Sequence, residues 1–295
     1  MRRFIGLIFL LPLAALASCG RTELPVAEDN VIRFTDYVPE YPNTKAYAER
    51  TITDIRQDGF NVACITQDGT TVFNEKAAWD NAANVYVTTK GRYYFPNGKT
   101  VTFSAVYPVS QEVIINGGAT SLSYTHNPDT DLLAAYRAGV AKQSTSVELA
   151  FDHVLSLVRF KVAGKDSAVK YKVRSISFTV PGTGVYTYAN GTWAPSGSAA
   201  VAAYSGTLAL DGVTEVPGAW TMIPSESTVT VAWETWSADG STLIAEYNES
   251  KTMGTLLKGE DNTVTITLSN KNADAITLTV TVNPWSPKDT SIDIE

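Results

Sequence analysis

Cysteine and histidine are nearly absent, with two of each in 295 residues. Neither cysteine has a second at zinc-site spacing, and no His-Glu-x-x-His or Gly-x-Ser-x-Gly occurs. The usual marks of zinc and serine hydrolases are therefore missing. Charge is sparse and one-sided: 23 basic residues face 30 acidic ones, with no long run of either sign. Such a surface cannot neutralise a phosphate backbone, which excludes nucleic acid as a partner. Long hydrophobic runs are also lacking. The longest, from Phe4 to Leu16, is short of the roughly 20 residues that a bilayer span requires. Carboxylates are present without the pairing that marks a catalytic cleft. No enzymatic activity, no cofactor and no metal are expected.

What is abundant is alternation with period two, rich in Thr, Val, Ile, Tyr and Trp. In "AITLTVTVNPW", Ile276, Leu278, Val280 and Val282 fall on one face and Thr277, Thr279 and Thr281 on the other. The same pattern places Val264, Ile266 and Leu268 together, then Val229, Val231 and Trp233, then Ile176, Phe178 and Val180. "KTVTFSAVYPVS" starts likewise with Val101 and Phe103 but changes parity before Val106. Turn signals such as "PNGK", "NGG", "PGTG", "ANGT" and "ADGS" separate these runs. The whole reads as an all-β chain of hairpins and Greek-key connections. Helix is scarce: "DLLAAYRAGVAK" has helix-compatible spacing at Leu132, Leu133, Tyr136 and Val140, and equally suits a strand end followed by a linker.

The first residues form a separate unit. Arg2 and Arg3 head the apolar run, which closes on Leu16, Ala17, Ser18 and Cys19. This boundary resembles the lipobox of a bacterial lipoprotein. The resemblance implies cleavage between Ser18 and Cys19 and a diacylglycerol thioether on Cys19, followed by N-acylation with palmitate-type chains. Without Arg2 and Arg3 the basic residues fall to 21 against 30 acidic ones, a charge of about −9. Residues 1–18 are then the signal peptide and 19–30 a tether. The polar "QSTS" after Lys142 marks a boundary between an N-terminal domain, 31–145, and a C-terminal domain, 146–295. Cys64, alone in "FNVACITQ", reads as a buried and inert thiol in a strand.

"VELAFDHVLSLVRFKV" follows the boundary. Val147, Leu149, Phe151, His153, Leu155 and Leu157 share odd parity, then Val158, Phe160 and Val162 take over on even positions. A parity switch of this kind predicts a β-bulge near Leu157. His153 reads as a core-edge histidine satisfied by a backbone carbonyl, in preference to a ligand. His126 with Asp129 and Asp131 is a solvated turn or, alternatively, a calcium or magnesium site. Trp233 and Trp236, three positions apart, point to opposite faces of a strand. At least one should be exposed unless a second layer or another chain covers it, and Trp233 or Trp236 is the candidate stacking residue for a glycan. Trp220 and Trp285 read as packed at domain edges.

The Phe151-x-His153-x-Leu155-x-x-Val158-x-Phe160-x-Val162 pattern resembles the start of the C-terminal domain in fimbrillin-like lipoproteins of Bacteroidetes, subunits and accessory proteins of type V pili. "VIRFTDYV", an Arg before "TITDIRQDGFNVACI", "YYFPNGKTVTFSAVYPVS" and "ITLTVTVNPW" match the family in the same order. This resemblance implies two tandem transthyretin-like antiparallel β-sandwich domains on a surface-exposed, lipid-anchored protein of the cell outer membrane, passing to the fimbrium after processing. It implies as partners other fimbrial subunits, of its own or another kind, and an arginine-specific protease. Cutting after the first strand would release it and leave an apolar groove for another subunit's segment, a β-augmentation. The displaced strand is then Val31 to Val38, with Ile32, Phe34 and Tyr37 as its apolar side. Arg50 stands at the family's processing position, or is a solvated loop residue; Arg33 and Arg56 lie among residues expected to be ordered. The last run, "SPKDTSIDIE", offers only Ile292 and Ile294 as a donor, which points toward a tip or accessory subunit. A surface lipoprotein that binds glycan through Trp233 or Trp236 is the alternative.

Overall fold

The structure is a computed structural model that describes residues 31–37, 52–271 and 275–285. Among them, regular structure is strand apart from one helix, Ile52–Asp58. Ser18, Cys19 and Arg50 lie outside the described residues, as do the signal peptide, the tether and residues 286–295.

The first sheet has eight strands in the spatial order Asp152–His153, Leu133–Val140, Val101–Tyr107, Phe60–Thr66, Thr71–Asp80, Val85–Thr88, Phe34–Tyr37 and Val147–Ala150. Its two edges are successive pieces of one segment with only Phe151 between them, so the sheet is a nearly closed barrel. Ile32, Phe34, Phe60, Phe73, Phe103 and Phe151 are among the side chains that fill it.

Two further sheets pack against each other around a second core. One carries Ser156–Gly164, Glu260–Leu268 and Ile276–Pro284, the other Ala199–Ala209, Lys170–Val180, Ser225–Trp236 and Leu243–Leu256. The alternation explains this layer: in Glu260–Leu268 the side chains of Asn262, Val264, Ile266 and Leu268 are buried and those between them half-exposed. In Ile276–Pro284 the apolar face fades. Ile276 is buried, Leu278 and Val280 are half-buried and Val282 is 50% exposed, because the strand runs out past the edge of the core.

A fourth sheet joins the halves of the chain. The hairpin Ile114–Asn116 and Ala119–Thr125 pairs with the hairpin Thr183–Thr187 and Thr192–Ser196, from Thr125 opposite Thr183 to Ser121 opposite Thr187. Beneath it a third core gathers Val106, Leu122, Leu155, Leu157, Tyr186 and Trp285.

One open reading is decided and one local expectation is corrected. Of the two readings of "DLLAAYRAGVAK", the strand holds: it contains Leu133–Val140, which pairs with Val101–Tyr107. No bulge occurs near Leu157: the parallel register with Glu260–Leu268 is unbroken from Leu157 opposite Asp261 to Gly164 opposite Leu268. Leu157 enters the third core and Val158 the second, so both faces are covered and parity ceases to report one inside. The helix Ile52–Asp58 was not anticipated. It buries Ile55 and ends at Gly59, whose φ of 75° and N–H to the Ile55 carbonyl at 2.7 Å form a C-terminal cap. A Cβ at Gly59 would lie 2.2 Å from the Ala77 carbonyl oxygen, so only glycine fits.

Candidate functional site

The first strand, Phe34–Tyr37, has a neighbour on each side. Toward Val147–Ala150 it makes a parallel ladder of four residue pairs, from Phe34 opposite Val147 to Tyr37 opposite Ala150. The Val147 N–H donates to the Arg33 carbonyl at 2.8 Å. Toward Val85–Thr88 the contact is thinner: Phe34 opposes Tyr86, Val31 bridges Tyr94, and the Ile32 N–H donates to the Tyr93 carbonyl at 2.8 Å. Between those points an opening of about 410 Å³ is lined by Ile32, Arg33, Val87, Thr88 and Lys90. One flank of the strand is zipped and the other is pinned at points.

The side chains hold it more firmly than the thin flank suggests. Phe34 is fully buried, its ring centroid 5.3 Å from Phe103, 6.1 Å from Phe60 and 6.4 Å from Phe73, all three edge-on. This is the geometry in which aromatic quadrupoles attract. Ile32 is buried in the same core. On the same parity, two residues beyond Phe34, Asp36 turns its carboxylate, 2% exposed, to the Tyr86 hydroxyl at 2.5 Å and the Arg56 guanidinium at 3.8 Å. Burial and the bond to Asp36 push the Tyr86 phenol well above its ordinary pKa. Arg56 also lies 4.4 Å over the Trp79 ring. The helix therefore serves the site: it delivers a cation to the one carboxylate of the first strand.

The expected apolar side is placed for Ile32 and Phe34. Tyr37 lies within the strand, opposite Ala150. Arg33 directly precedes the ladder, its carbonyl accepting from the Val147 N–H, and Arg56 lies on the helix. Asp36, Tyr86 and the parallel partner Val147–Ala150 were missed by sequence reasoning. Asp54 in the first turn, Arg56 in the last and Gly59 just beyond were signals by which the helix could have been found.

The other candidates come apart. Asp131 leaves the supposed ion site and meets His153, Oδ1 to Nδ1 at 2.7 Å, with both side chains buried. The partner of His153 is thus a carboxylate, not a carbonyl, and the imidazole stacks on Trp285 at 4.0 Å and 15°. His126 donates Nε2–H to the Thr221 carbonyl at 2.8 Å, and among the described residues no cluster of three metal-ligating side chains occurs. Trp233 is 1% exposed and stacks on Tyr247 at 4.8 Å. Trp236 carries the Lys172 ammonium 3.7 Å above its ring and donates to Glu234 at 2.7 Å. Trp233 thus supplies core volume, while Trp236 is half-buried and held by Lys172 and Glu234.

Cys64 is buried in the barrel, and desolvation pushes its thiol up to about 12. At pH 8 only about one molecule in 10,000 then carries the reactive thiolate. The Cys64 peptide is expected to stay unalkylated by iodoacetamide in the native protein and to label in step with denaturant unfolding, followed by mass spectrometry. Labelling without denaturant would contradict this burial.

Residues 44–285 match the fimbrillin-like family. Among solved structures, a fimbrial protein from Bacteroides vulgatus superposes with a TM-score of 0.63 at 17% identity, over 87% of this chain and 100% of that one. A protein of Parabacteroides distasonis assigned provisionally to cell adhesion gives 0.56 at 7% identity, over 88% and 98%. At these identities the likeness is one of fold. No curated protein matches.

Proposed function

Because the chain belongs to the fimbrillin-like family, we propose that it is a pilus subunit, of structural, tip or accessory type, matured by strand displacement. The family context is that of surface-exposed, outer-membrane-associated proteins related to fimbrial subunits; they are structural, and the chain is not an enzyme. The finer reading has four parts. Lipidation at Cys19 holds the precursor in the outer membrane, each buried methylene contributing about 0.8 kcal/mol. An arginine-specific protease cuts at Arg50. The segment bearing Phe34–Tyr37 then leaves, and an extended segment of another subunit takes its place. The two units, 31–145 and 146–295, correspond to tandem transthyretin-like sandwiches, with Val147–His153 lending its ladder to the first.

The observation that carries this reading is that the first strand is interior to the barrel sheet and yet weakly paired on one flank. Its loss would uncover Phe60, Phe73 and Phe103 and leave the edges of Val85–Thr88 and Val147–Ala150 unpaired, a slot that demands another strand.

Digestion of the membrane-bound protein with an arginine-specific protease, followed by N-terminal sequencing, is expected to show one cut, at Arg50, that Arg50→Ala abolishes. The cut protein is expected to enter higher oligomers. If no cut falls between Val38 and Gln57, or the cut protein stays monomeric, strand displacement is not the route of assembly.

A further inference from the structure

We propose that the outer edge of Leu243–Leu256 pairs with the same edge of a second copy, antiparallel about a twofold axis at Ser250. This surface is remote from the first strand and independent of its displacement. Leu243–Leu256 is a fourteen-residue strand that ends its sheet, bonded to Ser225–Trp236 on one side and to no strand on the other among the described residues. Register shifts occur at both ends, between Thr235 and Trp236 and between Ser227 and Thr228, while Ala245 to Thr252 runs in unbroken register. A regular run of this kind presents the N–H and C=O groups of alternate residues to a partner strand.

Charge selects the partner and the register. Glu249, Ser250 and Lys251 are all exposed, and Glu249 and Lys251 share one face, opposite Val231 and Val229. In an antiparallel pair centred on Ser250, each Glu249 lies opposite the other copy's Lys251, so the segment complements itself twice. Asn248 then faces Thr252. Moving the axis by one residue sets Glu249 against Glu249 or Lys251 against Lys251, which is repulsive. A Glu-Ser-Lys edge is thus self-complementary in one register and guarded against its neighbours. The opposite edge of the same sheet, Ala199–Ala209, lacks this regularity, since two register shifts interrupt its ladder. The contact is short, and the dimer belongs to the weak and reversible class.

Cysteine crosslinking of the full chain reads the register directly. In the proposed pair Ser250→Cys meets its own copy at the Cα separation of directly opposed residues, about 4.5–5.5 Å, which is within disulfide reach. Oxidation is expected to give a covalent dimer well above the background set by wild type and by Thr242→Cys. Adding Lys251→Glu is expected to lower the yield about tenfold through like-charge opposition, and adding Glu249→Lys as well to restore it. Sedimentation of the unmodified chain should show a reversible monomer–dimer equilibrium that Lys251→Glu weakens. A Ser250→Cys yield no higher than that of Thr242→Cys, or equal yields across the charge variants, overturns the proposal.

Discussion

Alanine at position 34 is expected to lower the unfolding free energy by about 3–5 kcal/mol, the range for emptying a phenylalanine site in a packed core. Phe34 belongs at the upper end of core sites because it is fully buried and three other aromatic rings lose a contact at once. The barrel cannot collapse onto the space easily, since Phe60, Phe73 and Phe103 stand on paired strands. Urea unfolding of Phe34→Ala against wild type measures the loss, and Thr35→Ala, half-exposed on the same strand, should shift it by much less. A shift under about 1 kcal/mol for Phe34→Ala would mean that the seat relaxes, contrary to dense interior packing. After cleavage ahead of the helix the same substitution should hasten departure of the strand, because the side chain that resists withdrawal is the one removed.

Separate expression of residues 31–145 and 146–295 is expected to yield two chains that do not fold, even though the sequence marks a linker there. The cut severs three ladders, the shortest being that of Asp152–His153 on Leu133–Val140. Phe34–Tyr37 loses the strand Val147–Ala150, and the barrel core loses Val147, Leu149 and Phe151. Ser121–Thr125 loses Thr183–Thr187, five residue pairs, and the third core is divided between the pieces. Circular dichroism should show neither fragment with a cooperative melt, while mixing or co-expression restores native signal. The intact chain should unfold in one transition, and a stable, cooperatively melting 31–145 fragment would show that the shared sheet is dispensable.

Strand positions were legible wherever one face meets a core and the other meets water. Glu260–Leu268 follows the alternation throughout, and Lys170–Val180 follows it on either side of a register shift between Val173 and Ser175. Legibility failed where a strand is covered on both sides. The parity changes at Val106 and at Leu157 to Val158 have one cause: Phe103 and Ala105 face the barrel interior while Val106 faces the third core, and Leu157 and Val158 enter different cores. At the first strand the apolar positions Ile32 and Phe34 were readable, because burial leaves its mark on residue type. Asp36 was not, since a buried carboxylate is explained only by Tyr86 and Arg56, fifty and twenty residues away along the chain. The pairing of two distant hairpins leaves no local signature either. It is a property of topology, which alternation does not encode.

The parallel sense of the ladder between Phe34–Tyr37 and Val147–Ala150 has a mechanical meaning. A pull applied ahead of Val31 runs along the strand axis, so its backbone bonds are loaded together in shear and must fail together. A sideways lift from the sparsely bonded flank toward Val85–Thr88 opens them one at a time. The strand is thus built to bear tension along its length and to yield to peeling; under the proposed maturation, a single segment would act as a tow line before the cut and as a removable plug after it.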